Sequence, residues 1–545
     1  MSDERRSNAW LVKVLLLVSL LVLIGVPLLV RPSITRIPDD ARSVIIYTPH
    51  NEQIRHEFAA GFNRWHKEHH GEPAMVIWNT PGGTSEIRNV LRSSMKAKLE
   101  IADVDPDGVP LVQSDADLVF GGGAYEFGEF KKQVSVEVDG VPRQSSITAP
   151  VRFEQDWLDR IYGENAIGDR PLYDTQGYWF GVALSGFGIV YNRDVLGRLG
   201  LEDPTQWVDL TDPRLQGGVA LVNPAQSGSI TTAFQAILDR QGWTQGWRIL
   251  RRAAANARYF SASSSKVPVD VSLGEAALGI CIDFYGRYEA QAMREADLES
   301  GTRQPDALDR IGYIDPPGET LIDSDPIAML TGAPNQVMAR RFIEYVLTPE
   351  AQSLWQFPVG EQVDDQYGPE RFELRRLPIR KMMYSDFGDR FIDTVDPFGT
   401  ASIVENPNSA FRSFIEPIFV AMAMEHHHLL SQAWACIVNH PSYPTGVKMV
   451  TAADVDEPQL KLMLELFDDL PEVPAPGEES MDLDDEEALG TLKAGWLRGG
   501  WSDSELWSAD AEPSAVLRRF LAKRFSDNYR RIIELSGQSR IARTR

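Results

Sequence analysis

The sequence predicts an α/β protein built from two similar halves, because short apolar runs alternate with amphipathic segments along most of the chain. The chain has 545 residues, so more than one domain is expected. Apolar residues make up 43% of it and charged residues 24%, which is typical of a globular protein. The net charge of −24 argues against nucleic acid as a partner, since phosphate backbones require a basic surface.

The N-terminus predicts a membrane anchor. The stretch Val14–Val30 carries no charge, and basic residues precede it. The whole apolar segment, residues 9–30, is close to the length that spans a bilayer, and the basic residues before it predict that residues 1–8 stay in the cytoplasm. Residues 31–42 would then form a linker, with everything after them on the extracytoplasmic face. A cleaved signal peptide is the alternative, although no small-residue cleavage site is present.

The first half has the order strand, helix, strand, helix, strand. The predicted strands are Ser43–Thr48, Met75–Trp78 and Asp117–Phe120, with helices over 50–70 and around 87–95. In a parallel α/β sheet of this order, ligands bind at the carboxyl ends of the strands.

The second half repeats this alternation. Strands are predicted at Gly218–Val222, Ala257–Phe260, Leu278–Asp283 and Pro326–Leu330. Helix starts are predicted at Asn335 and at Thr348-Pro349-Glu350, where a capping residue precedes the first turn. Beyond Ala410 the pattern indicates helices and loops only.

The segment Asp454–Glu487 stands apart by its charge. It contains fourteen acidic residues and a single basic one, Lys461, and Pro471, Pro474 and Pro476 lie within it. Such a run of like charge predicts a solvated loop, and it has no EF-hand spacing that would indicate calcium binding.

Turns rich in glycine, serine and threonine follow the predicted strands in both halves. They are Thr80–Ser85, Gly121–Gly123, Ser227–Ser229 and Ser263–Ser265. Backbone N–H groups, hydroxyl groups and the positive end of a helix dipole bind anions and polar molecules. Helix capping alone explains any one such turn, but four at equivalent strand ends predict a shared binding cleft.

Two further observations concern chemistry. Asp283 and Tyr285 follow a predicted strand and offer hard oxygen ligands for a trivalent metal, although a buried core tyrosine is an equal alternative. The two cysteines, Cys281 and Cys436, have no metal-site spacing, and no catalytic motif is present, so binding is predicted rather than an enzyme activity.

Several motifs in a characteristic order carry a family resemblance. They are VIIYTPHN, NTPGGTSE, DLVFGGGAYEF, ALSGFGIVYNRDVL, TQWVDLTDPRLQGGVALVNPAQSGS, SSSKVPVDVSLGEAALGICIDF and IAMLTGAPNQVMARRFIEYVLTPEAQ. The chain from about Val44 to Gln352 resembles the periplasmic solute-binding proteins of ABC importers. The most similar subgroup is the iron(III)-type family with the type II two-lobe fold.

The resemblance implies two α/β lobes joined by hinge crossover strands near Gly181–Tyr191 and Ile311–Leu330. The first lobe would begin at residues 43–184 and the second would cover residues 185–314. Residues 315–545 would return to the first lobe and add a helical C-terminal part, with the acidic loop at 454–487.

The resemblance also implies a role and a set of contacts. The protein would capture a small polar or anionic solute, or a ferric-type metal complex, between its lobes and deliver it to an ABC permease in the same membrane. It would need no cofactor, and Fe³⁺ would be cargo, although Phe284-Tyr285 departs from the adjacent tyrosines of ferric-binding members. A membrane-tethered ligand sensor or interaction domain is the alternative role. The implied ligand contacts are Thr48, Gly83, Thr84, Gly122, Ser185, Ser229, Ser265, Asp283 and Tyr285.

Overall fold

The computed structural model describes residues 42–304, 306–363, 366–401, 408–477, 480–501 and 513–543, together with Ser19 and Val404. The predicted anchor, residues 9–30, and the linker before residue 42 lie outside the described residues apart from Ser19. Within the described ranges no helix is long and apolar enough to cross a membrane.

The strands and helices are numbered in chain order. The strands are β1 (Arg42–Tyr47), β2 (Ala74–Asn79), β3 (Leu118–Phe120), β4 (Gln133–Val138), β5 (Val141–Ser146), β6 (Thr148–Ala149), β7 (Phe180–Ser185), β8 (Phe187–Asn192), β9 (Val219–Val222), β10 (Ala257–Ser261), β11 (Leu278–Ile282), β12 (Ile311–Ile314), β13 (Asp323–Leu330), β14 (Gln362–Val363), β15 (Gln366–Tyr367), β16 (Leu377–Pro378), β17 (Val473–Pro474) and β18 (Ser480–Met481). The α-helices are α1 (Glu52–His70), α2 (Thr84–Ile101), α3 (Ala124–Lys131), α4 (Gln155–Tyr162), α5 (Arg193–Arg198), α6 (Gly228–Gln241), α7 (Trp243–Ala255), α8 (Lys266–Ser272), α9 (Asp283–Glu299), α10 (Gln336–Val346), α11 (Pro349–Ser353), α12 (Met382–Phe387), α13 (Pro397–Thr400), α14 (Phe411–Phe419), α15 (His427–Val438), α16 (Pro458–Asp468), α17 (Leu489–Leu492) and α18 (Pro513–Arg543).

The first lobe is built on a mixed sheet in the order β16, β7, β13, β3, β1, β2, with β6 paired to β13. Strand β1 is parallel to β2 and β3, as the predicted βαβαβ order requires, and β13 is antiparallel to β3 and β7. Phe58 and Phe62 of α1 and Phe342 of α10 are fully buried against this sheet. Phe58 and Phe62 are about one helical turn apart, which places both on the same apolar face of α1.

The second lobe is built on a five-stranded sheet in the order β10, β9, β11, β8, β12. Strand β9 is parallel to β10 and β11, whereas β8 is antiparallel to β11 and β12. The chain passes from the first sheet to the second at Gly186, and it returns between β12 and β13. A Cβ atom at Gly186 would lie 2.8 Å from Asp315 Oδ1 on the returning segment, so the two crossings are close together.

The structure corrects the position of the C-terminal part. We expected residues 315–545 to return to the first lobe, but the helices from α14 onward pack on the second lobe. Phe414, Trp434 and Phe467 are fully buried in the same core as Phe234 and Trp243 of α6 and α7. We call residues 408–477, 480–501 and 513–543 the C-terminal helical module. An amphipathic pattern indicates which face of a helix is buried but not what buries it, which is why the sequence misplaced this module.

The acidic segment is also more ordered than the solvated loop that its charge predicts. It contains α16, whose Leu460 and Leu464 are fully buried, and the short β17–β18 hairpin. Asp468 accepts hydrogen bonds from Arg252 of α7 at 2.5 and 3.1 Å, and the Arg252 side chain is fully buried. Part of the negative charge is therefore an internal counterion for the second lobe.

Candidate functional site

A cavity of about 490 Å³ lies between the two lobes, at the carboxyl ends of the parallel strands. Walls from both lobes enclose it, as expected at this edge of an α/β sheet. The first lobe contributes Pro49, His50, Asn51, Gly82, Gly83, Thr84, Glu86, Gly122, Gly123, Ser185, Asp323, Ser324, Asp325 and Arg376. The second lobe contributes Phe187, Gln226, Ser227, Gly228, Ser229, Thr232, Ala262, Ser263, Ser264, Ser265, Ile282, Phe284 and Tyr285.

Five helices of eight or more residues begin at this cavity. Helices α1, α2 and α3 of the first lobe and α6 and α9 of the second lobe each place a residue of their N-terminus on the wall. The first N–H groups of a helix have no partner within the helix, and the helix dipole adds a partial positive charge at that end. Convergence of five such ends favours a negatively charged ligand.

Serine hydroxyls form a cluster on the wall of the second lobe. Ser227 Oγ lies 2.6 Å from Ser264 Oγ, and Ser229 Oγ lies 3.1 Å from both of them. Ser227 also caps α6 by accepting a hydrogen bond from Ile230 N at 3.4 Å. The turns after β9 and β10 therefore meet, as the sequence predicted for turns at strand ends.

The opposite wall carries a buried charge network. Arg376 contacts Asp325 with Nη1 and donates from Nη2 to Ser185 Oγ at 2.7 Å. His50 Nε2 lies 2.8 Å from Asp325 Oδ2, and Gly122 N donates to Asp325 Oδ1 at 2.5 Å. The Arg376 guanidinium also lies over the Phe284 ring, 4.7 Å from its centre, a favourable cation–π contact.

Burial and charge set the protonation states of this network. Burial raises the pKa of Asp325, but Arg376 and His50 outweigh that effect, so its pKa is lower than usual. Burial lowers the pKa of His50, and the nearby Arg376 lowers it further, although Asp325 acts in the opposite direction. At neutral pH the network therefore contains an Asp325–Arg376 ion pair and a neutral His50.

Four buried polar atoms of wall residues have no hydrogen-bond partner among the described residues. They are His50 Nδ1, Asp323 Oδ1, Ser324 Oγ and Arg376 Nε. A buried polar group without a partner costs free energy, so such groups are candidates to contact a ligand. Burial raises the pKa of Asp323.

Seven of the nine predicted contact residues line the cavity: Gly83, Thr84, Gly122, Ser185, Ser229, Ser265 and Tyr285. Thr48 and Asp283 do not line it, so their contact with the solute stays a prediction that the cavity does not support. Thr48 is fully buried, and its hydroxyl accepts a hydrogen bond from His50 N at 3.1 Å. Asp283 is also fully buried, and it accepts from Arg287 Nη1 at 3.1 Å and from Phe284 N at 2.8 Å.

Asp283 and Tyr285, the two residues that the sequence suggested as metal ligands, lie in different environments. Tyr285 faces the cavity, where burial raises the pKa of its phenol, whereas Asp283 pairs with Arg287 behind the wall. Among the described residues no group of three or more His, Cys, Asp or Glu side chains is placed to hold a metal ion.

Sequence reasoning missed His50, Asp325 and Arg376. They are far apart in the sequence, Arg376 lies in none of the quoted motifs, and His50 lies in the motif VIIYTPHN without being singled out as a ligand contact. One signal was available, because β13 begins at Asp323 rather than at the predicted Pro326. Two acids and a serine at the start of an otherwise apolar strand indicate a polar environment at that end of the sheet.

Together, two α/β lobes, two crossings between them and a polar cavity at the strand ends define the fold of the periplasmic binding proteins. Residues 144–367 match the sequence model of the family described as bacterial extracellular solute-binding protein. This match confirms the resemblance to solute-binding proteins that the motifs indicated.

The individual proteins that resemble this chain have low sequence identity to it. The phosphoglycerate transport regulatory protein PgtC of Salmonella typhimurium is 27% identical over 173 residues, which is 32% of this chain and 39% of that protein. The chain thus spans about two fifths of the length of this curated relative. Among solved structures, the periplasmic binding protein AfuA from Actinobacillus pleuropneumoniae, with fructose-6-phosphate bound, is 16% identical with a TM-score of 0.47, covering 73% of this chain and 98% of that one. A ferric binding protein from Campylobacter jejuni is 18% identical with a TM-score of 0.45, covering 72% and 99%.

Proposed function

We propose that this protein captures a small organic anion between its lobes and delivers it to an ABC permease. The observation that carries the proposal is the convergence of five helix N-termini, a serine cluster and Arg376 on one cavity. N–H groups and hydroxyls offer hydrogen bonds to an oxyanion at little cost in reorganisation, because the fold already orients them.

The acidic residues of the wall are compatible with an anionic ligand. Asp325 is paired with Arg376, and Glu86 accepts a hydrogen bond from Gly83 N at 3.0 Å as part of the α2 cap. Burial raises the pKa of Asp323, so this carboxyl group is more easily protonated than usual, and once protonated it can donate to a ligand oxygen. An organic anion fits this wall better than a ferric ion, because Asp283 is held by Arg287 and burial keeps Tyr285 in its phenol form.

The name of the curated relative suggests a first candidate. Phosphoglycerate carries a phosphate and a carboxylate, and both are groups that helix N-termini and serine hydroxyls bind. We therefore propose a phosphomonoester or a carboxylate of this size as the solute.

The proposed location is the extracytoplasmic face of the cell membrane, with residues 9–30 as a tether and the permease in the same membrane. The solute-binding family matched by residues 144–367 supports the extracytoplasmic location, and the tether rests on the apolar stretch of the sequence alone. A ligand sensor is the second candidate role, and the word "regulatory" in the relative's name supports it. Both roles need the same binding event, and they differ in the protein that recognises the closed lobes.

Isothermal titration of the 545-residue chain in detergent with phosphoglycerate tests the binding step. We expect Ser229→Ala to weaken binding at least about tenfold, since a hydrogen bond to a charged group contributes about 1.5–3 kcal/mol. The matched control is Ser300→Ala, which removes an exposed serine hydroxyl at the far end of α9. If no phosphomonoester or carboxylate binds, or if both variants weaken binding equally, the proposed anion site is wrong.

Crosslinking in the native membrane separates the two roles. We expect the chain to crosslink to a permease in a solute-dependent manner. Crosslinking to a sensor kinase or receptor instead would favour the second candidate.

A further inference from the structure

A smaller cavity of about 200 Å³ adjoins the main one. The two cavities share four wall residues: Asn51, Ser265, Phe284 and Tyr285. Because they share these residues, a molecule in the main cavity can extend one substituent into the smaller space. We call this smaller cavity the side chamber.

The side chamber differs from the main cavity in its chemistry. Besides the shared rings of Phe284 and Tyr285, its walls include Ile54 and Leu374 of the first lobe and Pro268, Val269 and Tyr288 of the second. Among the described residues no Lys, Arg or His side chain lines it, and Glu289 supplies its one carboxylate, beside the polar side chains of Asn51, Gln53 and Ser265. The main cavity, with Arg376 and the serine cluster, is therefore the better place for an anionic group, and the apolar side chains of the chamber suit an apolar group.

The chamber wall also leaves large apolar side chains open to the cleft. Val269 is 42% exposed and Tyr288 is 38% exposed, and both line the chamber. Gln53 Nε2 of α1 donates to the Tyr288 hydroxyl at 3.3 Å, so the two lobes meet at this wall. Burying these apolar surfaces against a ligand would be favourable.

We infer that the cognate solute carries an apolar or aromatic substituent beside its anionic group, and that the side chamber holds this substituent. The volume is sufficient, because an apolar protein cavity of about 150 Å³ accommodates benzene. The inference rests on the proposed function, since it places the anionic group in the main cavity and only the substituent in the chamber.

Pairs of probes that differ only in the substituent test the inference. Titration of the 545-residue chain with methyl phosphate and phenyl phosphate, and with acetate and phenylacetate, compares the same anionic group with and without a ring. We expect the ring to tighten binding at least tenfold in one of the two pairs, which corresponds to about 1.4 kcal/mol.

Substitutions in the wall of the side chamber test whether the ring of the probe binds there. Val269→Asp places a charge on the chamber wall at a partly exposed position, so the chain is expected to fold. It should reduce the phenyl-to-methyl affinity ratio at least fivefold. Tyr288→Ala removes part of the ring surface and should also reduce this ratio. The matched control is Leu273→Asp, one helical turn further along the same segment, where Leu273 is 70% exposed and lines neither cavity.

The outcomes separate the inference from the proposed function. If the anions bind but the ring adds nothing in either pair, or if Leu273→Asp lowers the ratio as much as Val269→Asp, the inference is wrong and anion capture stands. If none of the four probes binds, the inference and the proposed anion site are both wrong.

Discussion

Arg376 is only 3% exposed, yet it brings a full positive charge to the wall of the cavity. An unpaired charge at such a position would cost several kcal/mol, and the contact with Asp325 offsets that cost. Ser185 accepts a hydrogen bond from Nη2, and the Phe284 ring packs against the guanidinium. The charge is therefore held in place before a ligand arrives, which reduces the entropy lost on binding.

His50 makes the stability of this network depend on pH. Its lowered pKa, caused first by burial, means that the folded protein keeps the ring neutral while the unfolded chain takes up a proton below about pH 6.5. The stabilisation is thus present above pH 6.5 and is lost as the pH falls towards the folded-state pKa. Urea unfolding of the wild type and of His50→Asn between pH 8 and pH 5.5 measures this effect.

We expect the difference in free energy of unfolding between the two proteins to shrink as the pH falls. Asparagine does not titrate, so the variant serves as the reference for all other groups. A difference that stays constant over this range would mean that His50 takes up its proton equally in both states.

At the scale of elements, the turn after β3 connects the sheet to α3 and also forms part of the cavity wall. Gly121 has φ +101°, in the left-handed region that favours glycine. A Cβ atom there would lie 2.6 Å from His50 Nε2. The same turn presents Gly122 N to Asp325, so its backbone conformation positions the buried network.

Gly121→Ala is therefore expected to lower the free energy of unfolding by about 1–3 kcal/mol, from backbone strain and displacement of His50. The matched control is Gly128→Ala within α3, where a Cβ atom would meet nothing within 4 Å. This control should stabilise the protein by about 0.5–1 kcal/mol, because alanine is the better helix former. Thermal and urea unfolding measure the stability change in each variant. Equal changes in the two variants would contradict the conclusion that the backbone conformation of Gly121 positions the buried network.

The contact between α7 and α16 permits a second test at this scale. Asp468→Ala leaves the Arg252 guanidinium buried without its carboxylate, and we expect a loss of about 3–5 kcal/mol in the free energy of unfolding. Asp527→Ala on α18 is the control, because its carboxylate is half exposed and should contribute less than about 1 kcal/mol. A small effect of Asp468→Ala in urea unfolding would show that water reaches Arg252.

At the scale of the whole molecule, the features that the sequence predicted are those formed by residues adjacent to each other in the chain. The turns at Gly83–Thr84 and Ser227–Ser229 were found because a glycine or serine cap directly follows a strand signal. Arg376 and Asp325 were not found, because their contact joins residues 51 positions apart and depends on how β13 crosses the sheet. The helices after Ala410 were predicted as helices. Which lobe they pack against depends on the apolar outer face of α7, and no local sequence pattern shows that these helices cover it.

The C-terminal helical module also reaches the first lobe, through an ion pair beside the cavity. Arg412 of α14 donates to Glu126 of α3 at 2.9 Å and to Thr232 Oγ1 of α6 at 2.8 Å, and it lies over the Tyr125 ring at 4.2 Å. The Arg412 and Glu126 side chains are 6% and 2% exposed. A buried pair that joins the two lobes should stabilise the arrangement of the lobes in this structure.

A double-mutant cycle of Glu126→Gln and Arg412→Met tests this contact. We expect each single variant to weaken phosphoglycerate binding and the pair to show a coupling energy of about 1–3 kcal/mol, because either change leaves a buried polar group without its partner. The control cycle uses Arg518 and Glu425, an ion pair at 3.1 Å whose side chains are 39% and 35% exposed and which lies within the module. Its coupling should stay below about 1 kcal/mol and should not affect binding. Equal coupling in the two cycles, or unchanged binding in the Glu126 and Arg412 variants, would mean that this pair does not hold the lobes together.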